Sequence, residues 1–377
     1  MPMIIPLFIM HRGCPHRCVY CNQRKTAGDH PDRMTEEALR EEVQRWLGYA
    51  RRKPEPVQIA FYGGNFTGMD PNDQEELLRF AGEFLDQGLV QGIRVSTRPD
   101  AIGEASLALL VKYRVGTVEI GAQSLSDEVL SCSLRGHGAD DVVRAVGRLQ
   151  DRGIRVGLHL MIGLPGDSPE RFALSIDRTV TLQPDMVRLH PTLVLQDTAL
   201  AAAYLQGAYR PLSMKGAVAA CKFALIRLAR AGIPVIRVGL QTTNELEKAG
   251  SILAGPFHPA FRSLVEESIF FDMASSMIEN AVAQGGQVTF SLSPKDVSAF
   301  RGQKNTNVQG LRRSFALASL SVCVEPAQER GVLVMTAGGR RWRMDRREVR
   351  EKNILAWWEE AGSRGEGGTS VCPPPCR

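Results

Sequence analysis

The chain has 377 residues, 44% hydrophobic and 23% charged, with a formal net charge of +5 at pH 7. That length suits one large α/β domain with a smaller appendage, and the composition is ordinary for a globular protein. The mild basic excess fits a nucleic-acid partner without requiring one. No apolar run reaches the roughly 20 residues a membrane helix needs, and Met3–Met10, the longest, lacks the charged leader and cleavage site of a signal peptide. Eight cysteines, three of them clustered, fit a reducing cytoplasm better than a disulfide scaffold.

The first strand-like run, Ile4–Met10, leads into His11-Arg12-Gly13-Cys14-Pro15-His16-Arg17-Cys18-Val19-Tyr20-Cys21, a Cys-x-x-x-Cys-x-x-Cys spacing. A [4Fe–4S] cube ordinarily takes four thiolates. Three thiolates from one tight loop hold three corner irons and leave the fourth open, which makes a reaction site rather than an electron relay. A second reading stays open: with His11 or His16 the same residues complete a Cys₃His zinc site, although no second cysteine hook follows within finger distance.

Five further runs read as buried parallel strands: Val57–Tyr62, Ile93–Thr97, Thr117–Gly121, Arg155–Ile162 and Met186–Thr192. Each is short, rich in Val, Ile or Leu, and bounded by Gly, Pro or charge. Amphipathic helices lie between them. Thr35 caps one, Ser168 caps another with Pro169 at its first turn, and Ser213 opens a longer one ending near Gly232. Six β-then-α units predict a partial (β/α)6 TIM-like barrel, with a doubly wound sheet as the alternative. In barrel-type domains the functional residues sit at the carboxyl ends of the strands. The loops there hold the cysteines, then Gly63-Gly64-Asn65, Ser96-Thr97-Arg98-Pro99-Asp100, Gly121-Ala122-Gln123-Ser124, and Gly163-Leu164-Pro165-Gly166-Asp167.

The final third predicts a small α/β appendage. A helix is expected from about Arg262 to Ala283, with Met273 and Met277 as core filler, and strands at Gln287–Ser291, Leu320–Glu325 and Val332–Thr336. Between Arg340 and Lys352 a basic run surrounds Trp342. It reads either as a grip on RNA phosphates or as a solvated helix with i,i+4 pairs to Asp345, Glu348 and Glu351. Cys132, Cys221 and Cys323 read as lone thiols. The expected division is a core barrel over 1–245, an accessory domain over 246–361, and a disordered tail over 362–377 that contains Cys372 and Cys376.

In order along the chain, the cysteine loop, the Gly-Gly pair, Gly-Ala-Gln-Ser and Gly-Leu-Pro-Gly resemble the radical S-adenosylmethionine (SAM) superfamily. Phe61–Pro71, Ser96–Asp100 and Leu189–Thr198, continuing into Gly207–Pro211, resemble the radical domain of the Elongator catalytic subunit. The likeness covers about residues 3–245.

The resemblance implies a [4Fe–4S] cluster on Cys14, Cys18 and Cys21, with Tyr20 beside SAM. Gly63, Gly64 and Asn65 would hold the SAM amino group; Ser96, Gln123, Arg135 and His159 would face its ribose and carboxylate; Ile162, Gly163 and Leu164 would meet its adenine. It further implies an external one-electron reductant of flavodoxin or ferredoxin type. Related enzymes often carry carboxylates where this chain has Ser96 and His159, and His159 also fits a satisfied core histidine. The Elongator subunit spaces its cysteines differently and carries an acetyltransferase domain for which residues 246–377 leave no room, so acetyl-CoA use does not carry across.

Three functions follow. One is a radical SAM enzyme acting on tRNA or another RNA, another is the same chemistry on a small molecule or peptide, and the last is a non-enzymatic metal protein. Arg188, His190 and Tyr209 are the candidate substrate residues.

Overall fold

The computed structural model describes residues 2–10, 12–28, 35–50, 56–241, 243–281 and 286–350. His11, Glu351, Lys352 and the expected tail with Cys372 and Cys376 lie outside them. The chain divides into two compact units, Met1–Leu212 with Ile233–Phe257, and Ser213–Gly232 with the described part of His258–Ser363. The helix Met214–Arg230 therefore clusters with the later unit rather than with the strands that precede it.

In the first unit, β1 (Met3–Phe8), β2 (Val57–Tyr62), β3 (Gly92–Thr97), β4 (Val115–Gln123), β5 (Arg155–Ile162) and β6 (Met186–Pro191) pair in sequence order, all parallel. Two short strands, β7 (Val194–Leu195) and β9 (Ile252–Ala254), pair antiparallel. Between them in sequence, β8 (Val235–Val238) adds a seventh parallel strand beside β6. The partial barrel is thus one strand wider than the sequence suggests. Val235–Val238 is four residues long and interrupted by Arg237, too short for a periodic signal.

Helices start where their caps dictate. The Ser168 hydroxyl accepts from Arg171 N at 3.3 Å ahead of Pro169–Leu182, and Ser213 accepts from Gly216 N at 3.1 Å. Strand alternation sends Val118, Ile120, Val156, Leu158, Leu160, Val187 and Leu189 into the buried core. The alternate residues, Glu119, His159, Arg188 and His190 among them, share the opposite, inner face.

In the second unit, β10 (Gln287–Leu292), β11 (Ser319–Val324), β12 (Val332–Ala337) and β13 (Arg340–Asp345) form a sheet in the order β11-β10-β12-β13. The helix Phe261–Asn280 buries Met273 and Met277. The basic run corrects the helical expectation: Arg340–Asp345 is an edge strand, with Trp342 and Met344 half-buried and Arg340, Arg341 and Arg343 exposed. The cause is the Gly338-Gly339 pair. Both glycines take positive φ, and Ala337 faces Arg340 across them, which is a two-residue hairpin turn. Cys132, expected as a lone thiol, is disulfide-bonded, because sequence spacing does not tell which thiols meet in space. Cys221 and Cys323 are free. Among the described residues no helix is long and apolar enough to cross a membrane.

Candidate active site

The cysteine loop and the Gly-Gly loop are built as one piece. Gly13 has φ +73, and a Cβ there would collide with the Asn65 carbonyl oxygen. Gly64 is equally confined, since its Cβ would lie 2.6 Å from Ile9 O and 2.8 Å from Arg12 O. Asn65 ties the two loops to β3: its Nδ2 donates to Gly13 O at 2.7 Å, and its Oδ1 accepts from Thr97 Oγ1 at 2.7 Å and Arg98 N at 3.0 Å. Both polar atoms of its side chain are thus engaged within the protein.

The far side of the cysteine loop rests on the segment that follows β6 and on Thr243, beyond β8. Leu200 N donates to Val19 O at 2.8 Å, Asn22 Nδ2 to Gln196 O at 3.0 Å, and Thr243 Oγ1 to Lys25 O at 2.9 Å. Val19 is buried with Val194, Leu200 and Tyr209 in one apolar cluster. The Elongator-like stretch 189–211 thus braces the loop that holds the cysteines.

Cys14, Cys18 and Cys21 are half-buried free thiols. Arg135, buried, donates from Nη1 to Cys18 Sγ at 3.0 Å, from Nη2 to Gly121 O at 2.6 Å and from Nε to His137 Nε2 at 3.2 Å. Burial pushes the Cys21 thiol up to about 12, with Cys18 and Cys14 adding to the rise; burial and Cys18 raise Cys14 as well. Cys14 and Cys21, which resist ionising because burial and the neighbouring thiols oppose their charge, are groups that a cationic iron core would relieve. Among the described residues no group of three or more His, Cys, Asp or Glu forms a single-ion site. Three free thiols on one loop are the donor type that a [4Fe–4S] cube takes. His16, one histidine of the zinc reading, lies with its ring against Gly136.

Below this rim the inner face carries a polar belt of which the sequence singles out Arg188 alone. Glu119 on β4 is 5% exposed. Its Oε1 accepts from Arg94 Nη1 at 2.6 Å, Tyr62 OH at 2.8 Å and Arg188 Nη2 at 3.0 Å, and its Oε2 lies 2.6 Å from Arg188 Nε. Arg94 is further held by Gln58 Oε1 at 3.0 Å, and the Arg188 guanidinium stands 5.4 Å above the Tyr62 ring. Burial opposes the charge on Glu119, but Arg188 and Arg94 outweigh it and hold the carboxyl below its ordinary range. The available signal was one charge in the middle of each apolar run, Arg94 between Ile93 and Val95 and Glu119 between Val118 and Ile120.

The remaining candidates fall in two places. His159 and His190 meet on the inner face with ring centroids 4.2 Å apart. The Nε2 atoms of both, Gln123 Oε1 and Thr192 Oγ1 are buried without a hydrogen-bond partner among the described residues. Burial, then Arg188, brings His159 down to about 4; burial and His159 also depress His190, so both imidazoles are neutral. Ser96 is half-buried on the same face, paired in register with Glu119. Tyr209 belongs elsewhere: its hydroxyl donates to Gly163 O at 2.6 Å. Asp167 holds the other end of that loop, its two oxygens accepting from Gly163 N and Ser168 N, each at 2.9 Å. Tyr209 and Asp167 therefore fix the backbone of Ile162–Leu164, and Tyr20 is half-buried with its hydroxyl shielded near Cys18 and Arg135.

The radical SAM superfamily pattern matches residues 8–179, and that of the Radical_SAM C-terminal domain matches residues 184–270. A tRNA uridine(34) acetyltransferase of Dehalococcoides mccartyi is 28% identical over 263 residues, 58% of this chain and 56% of that protein. A tRNA uridine(34) acetyltransferase of Methanocaldococcus jannaschii is 33% identical over 161 residues, 42% of this chain and 29% of that one. The chain thus spans about half or less of the length of these relatives. Among solved structures, the archaeal Elp3 of Methanocaldococcus infernus, lacking its N-terminus, matches with a TM-score of 0.50 at 18% identity, over 74% of this chain and 64% of that one. That match is a likeness of fold.

Proposed function

The chain belongs to the radical SAM superfamily, and from that premise we propose that it cleaves SAM reductively at a [4Fe–4S] cluster on Cys14, Cys18 and Cys21 in order to modify an RNA base, with tRNA as the first substrate class to test. When bound, cluster and SAM supply a 5′-deoxyadenosyl radical able to take hydrogen from an unactivated carbon. The electron comes from an external reductant of flavodoxin or ferredoxin type.

The residues of the chain have distinct tasks. Arg135 lays a fixed positive charge against Cys18 and is itself oriented by Gly121 O and His137. Asn65 locks the Gly63-Gly64 backbone where it can accept from an ammonium group. Tyr209 and Asp167 hold the Gly163 loop as a flat backbone lip. The Tyr62–Arg94–Glu119–Arg188 belt lines the inner face with paired charges that hold one another in place.

The observation that carries the chemistry is the convergence of three half-buried thiols with a buried arginine at the carboxyl ends of a parallel barrel. The RNA substrate is supported by the names of the relatives, which are tRNA-acting proteins. The test is an anaerobic assay for 5′-deoxyadenosine with dithionite, run with bulk tRNA and, separately, with a small-metabolite extract. The expected result is product formation raised by tRNA, with a mass change in the tRNA. Stimulation by metabolites alone would move the substrate to the small-molecule class, and no product under reduction would remove the radical chemistry.

A further inference from the structure

We propose that His190 and Thr192, at the carboxyl end of β6, form a substrate subsite for an uncharged hydrogen-bonding group of nucleobase type. The proposal rests on the radical SAM reading above and names the group that enters beside His159.

The two residues are built into the barrel rather than placed on its surface. His190 is 7% exposed and Thr192 2% exposed, and Thr192 N is anchored to Ile162 O at 2.9 Å. His190 Nε2 and Thr192 Oγ1 nevertheless have no hydrogen-bond partner among the described residues. A buried polar group left unsatisfied forfeits the hydrogen bonds it had with water. Two such groups one residue apart, facing the inner side of a barrel, point to a ligand that completes them. An imidazole and a hydroxyl can each donate or accept, so a ligand that presents one donor and one acceptor on one edge can complete both. The N–H and C=O edge of a pyrimidine does this.

The charges around the subsite decide against an acid. Arg188 is held by Glu119 at 2.6 Å and by Tyr62, Arg94 by Glu119 and Gln58, and Arg237 has a partner of its own. A carboxylate or phosphate at His190 would have to draw Arg188 away from a buried ion pair, which leaves Glu119 undercompensated. An uncharged group meets no such penalty. The contact between His190 and His159, 4.2 Å between ring centroids, puts that group next to the position that the resemblance gives to SAM.

The experiment uses the full chain, anaerobically loaded with iron and sulfide and saturated with SAM. 4-Thiouridine serves as a photocrosslinking probe, with uridine and its 6-carboxylate, orotidine, as competitors. The expected label falls on the peptide containing His190 and Thr192, and uridine displaces it about tenfold better than orotidine. His190→Phe, which keeps a ring but removes the hydrogen bond, and Thr192→Val each lower labelling about tenfold, whereas His190→Gln retains most of it. SAM affinity by equilibrium dialysis stays within about twofold in all three variants. The subsite is overturned if the label falls elsewhere or is absent, if orotidine competes as well as uridine, or if His190→Phe weakens SAM instead of the probe. Correct labelling without turnover of tRNA would retire the RNA reading and keep the subsite. Turnover of tRNA without His190-dependent labelling would do the reverse.

Discussion

The inner face of the barrel sheet and the core face of the second sheet follow the same two-residue alternation with opposite chemistry. In the second unit, Phe290 and Leu292 on β10 face Met335 and Leu333 on β12, all buried and apolar. In the barrel, the equivalent positions on β2 to β6 are Tyr62, Arg94, Glu119, His159, Arg188 and His190. A face whose only task is cohesion fills with hydrocarbon, since each buried apolar side chain contributes about 1.5–3 kcal/mol. A face that keeps two arginines, a glutamate and two unsatisfied imidazoles out of water gives up that gain. The difference marks the barrel interior as a chamber and the second sheet as a core.

Substitutions break or sharpen this contrast. The largest effect is expected from Glu119→Gln, which strands Arg94 and Arg188 without their counter-charge and costs about 3–5 kcal/mol. Native-state hydrogen exchange would show the loss in β4 and its neighbours while β10 keeps its protection. Replacing all three charged members by apolar residues (Arg94→Met, Glu119→Leu, Arg188→Met) should restore much of that stability and convert the chamber into a core. Retained SAM binding in that variant would contradict the chamber assignment. In the second sheet, Phe290→Ala should cost about 3 kcal/mol through its cavity and leave SAM affinity unaltered.

Asp167→Asn comes next. The amide keeps one acceptor oxygen where the carboxylate served both Gly163 N and Ser168 N, so about 1 kcal/mol is lost. Burial raises the Asp167 carboxyl to about 7, so the wild-type chain loses stability from this group as pH rises from the unfolded value of 3.8 through about 7. The asparagine variant should lack that slope in urea titrations between pH 4 and 8. The smallest difference concerns His159, depressed by burial from 6.5 to about 4. Its contribution is complete above pH 6.5 and is lost as pH falls towards 4, so His159→Phe should flatten the acid limb of a melting curve. A steeper limb would show that the imidazole is protonated in the fold.

Much of this was legible in the sequence, for physical reasons. Val57–Tyr62 and Arg155–Ile162 stand as strands with the bounds their apolar runs suggest, because a parallel strand covered on both faces leaves an uninterrupted apolar signature. The cysteine spacing, the Gly-Gly pair and the Gly-Leu-Pro-Gly loop announced the rim because each needs particular residues at particular places. Arg94 and Glu119 were hidden, since one charge in a strand reads as an interruption until its partner from another strand is known. The β12–β13 hairpin was masked by the arginines that follow Gly338-Gly339, whose density suggested a solvated helix. Tyr209 lies among residues that resemble the Elongator stretch, and only the fold shows its hydroxyl on Gly163 O.

The direct test of the cluster is anaerobic loading of the full chain with iron and sulfide, followed by iron counting and electron paramagnetic resonance with and without SAM. The expected outcome is about four irons per chain and a reduced [4Fe–4S] signal that shifts when SAM is added, with both lost in Cys14→Ser, Cys18→Ser and Cys21→Ser. About one tightly held zinc per chain, or a cluster whose signal ignores SAM, would contradict an open iron on these three thiols.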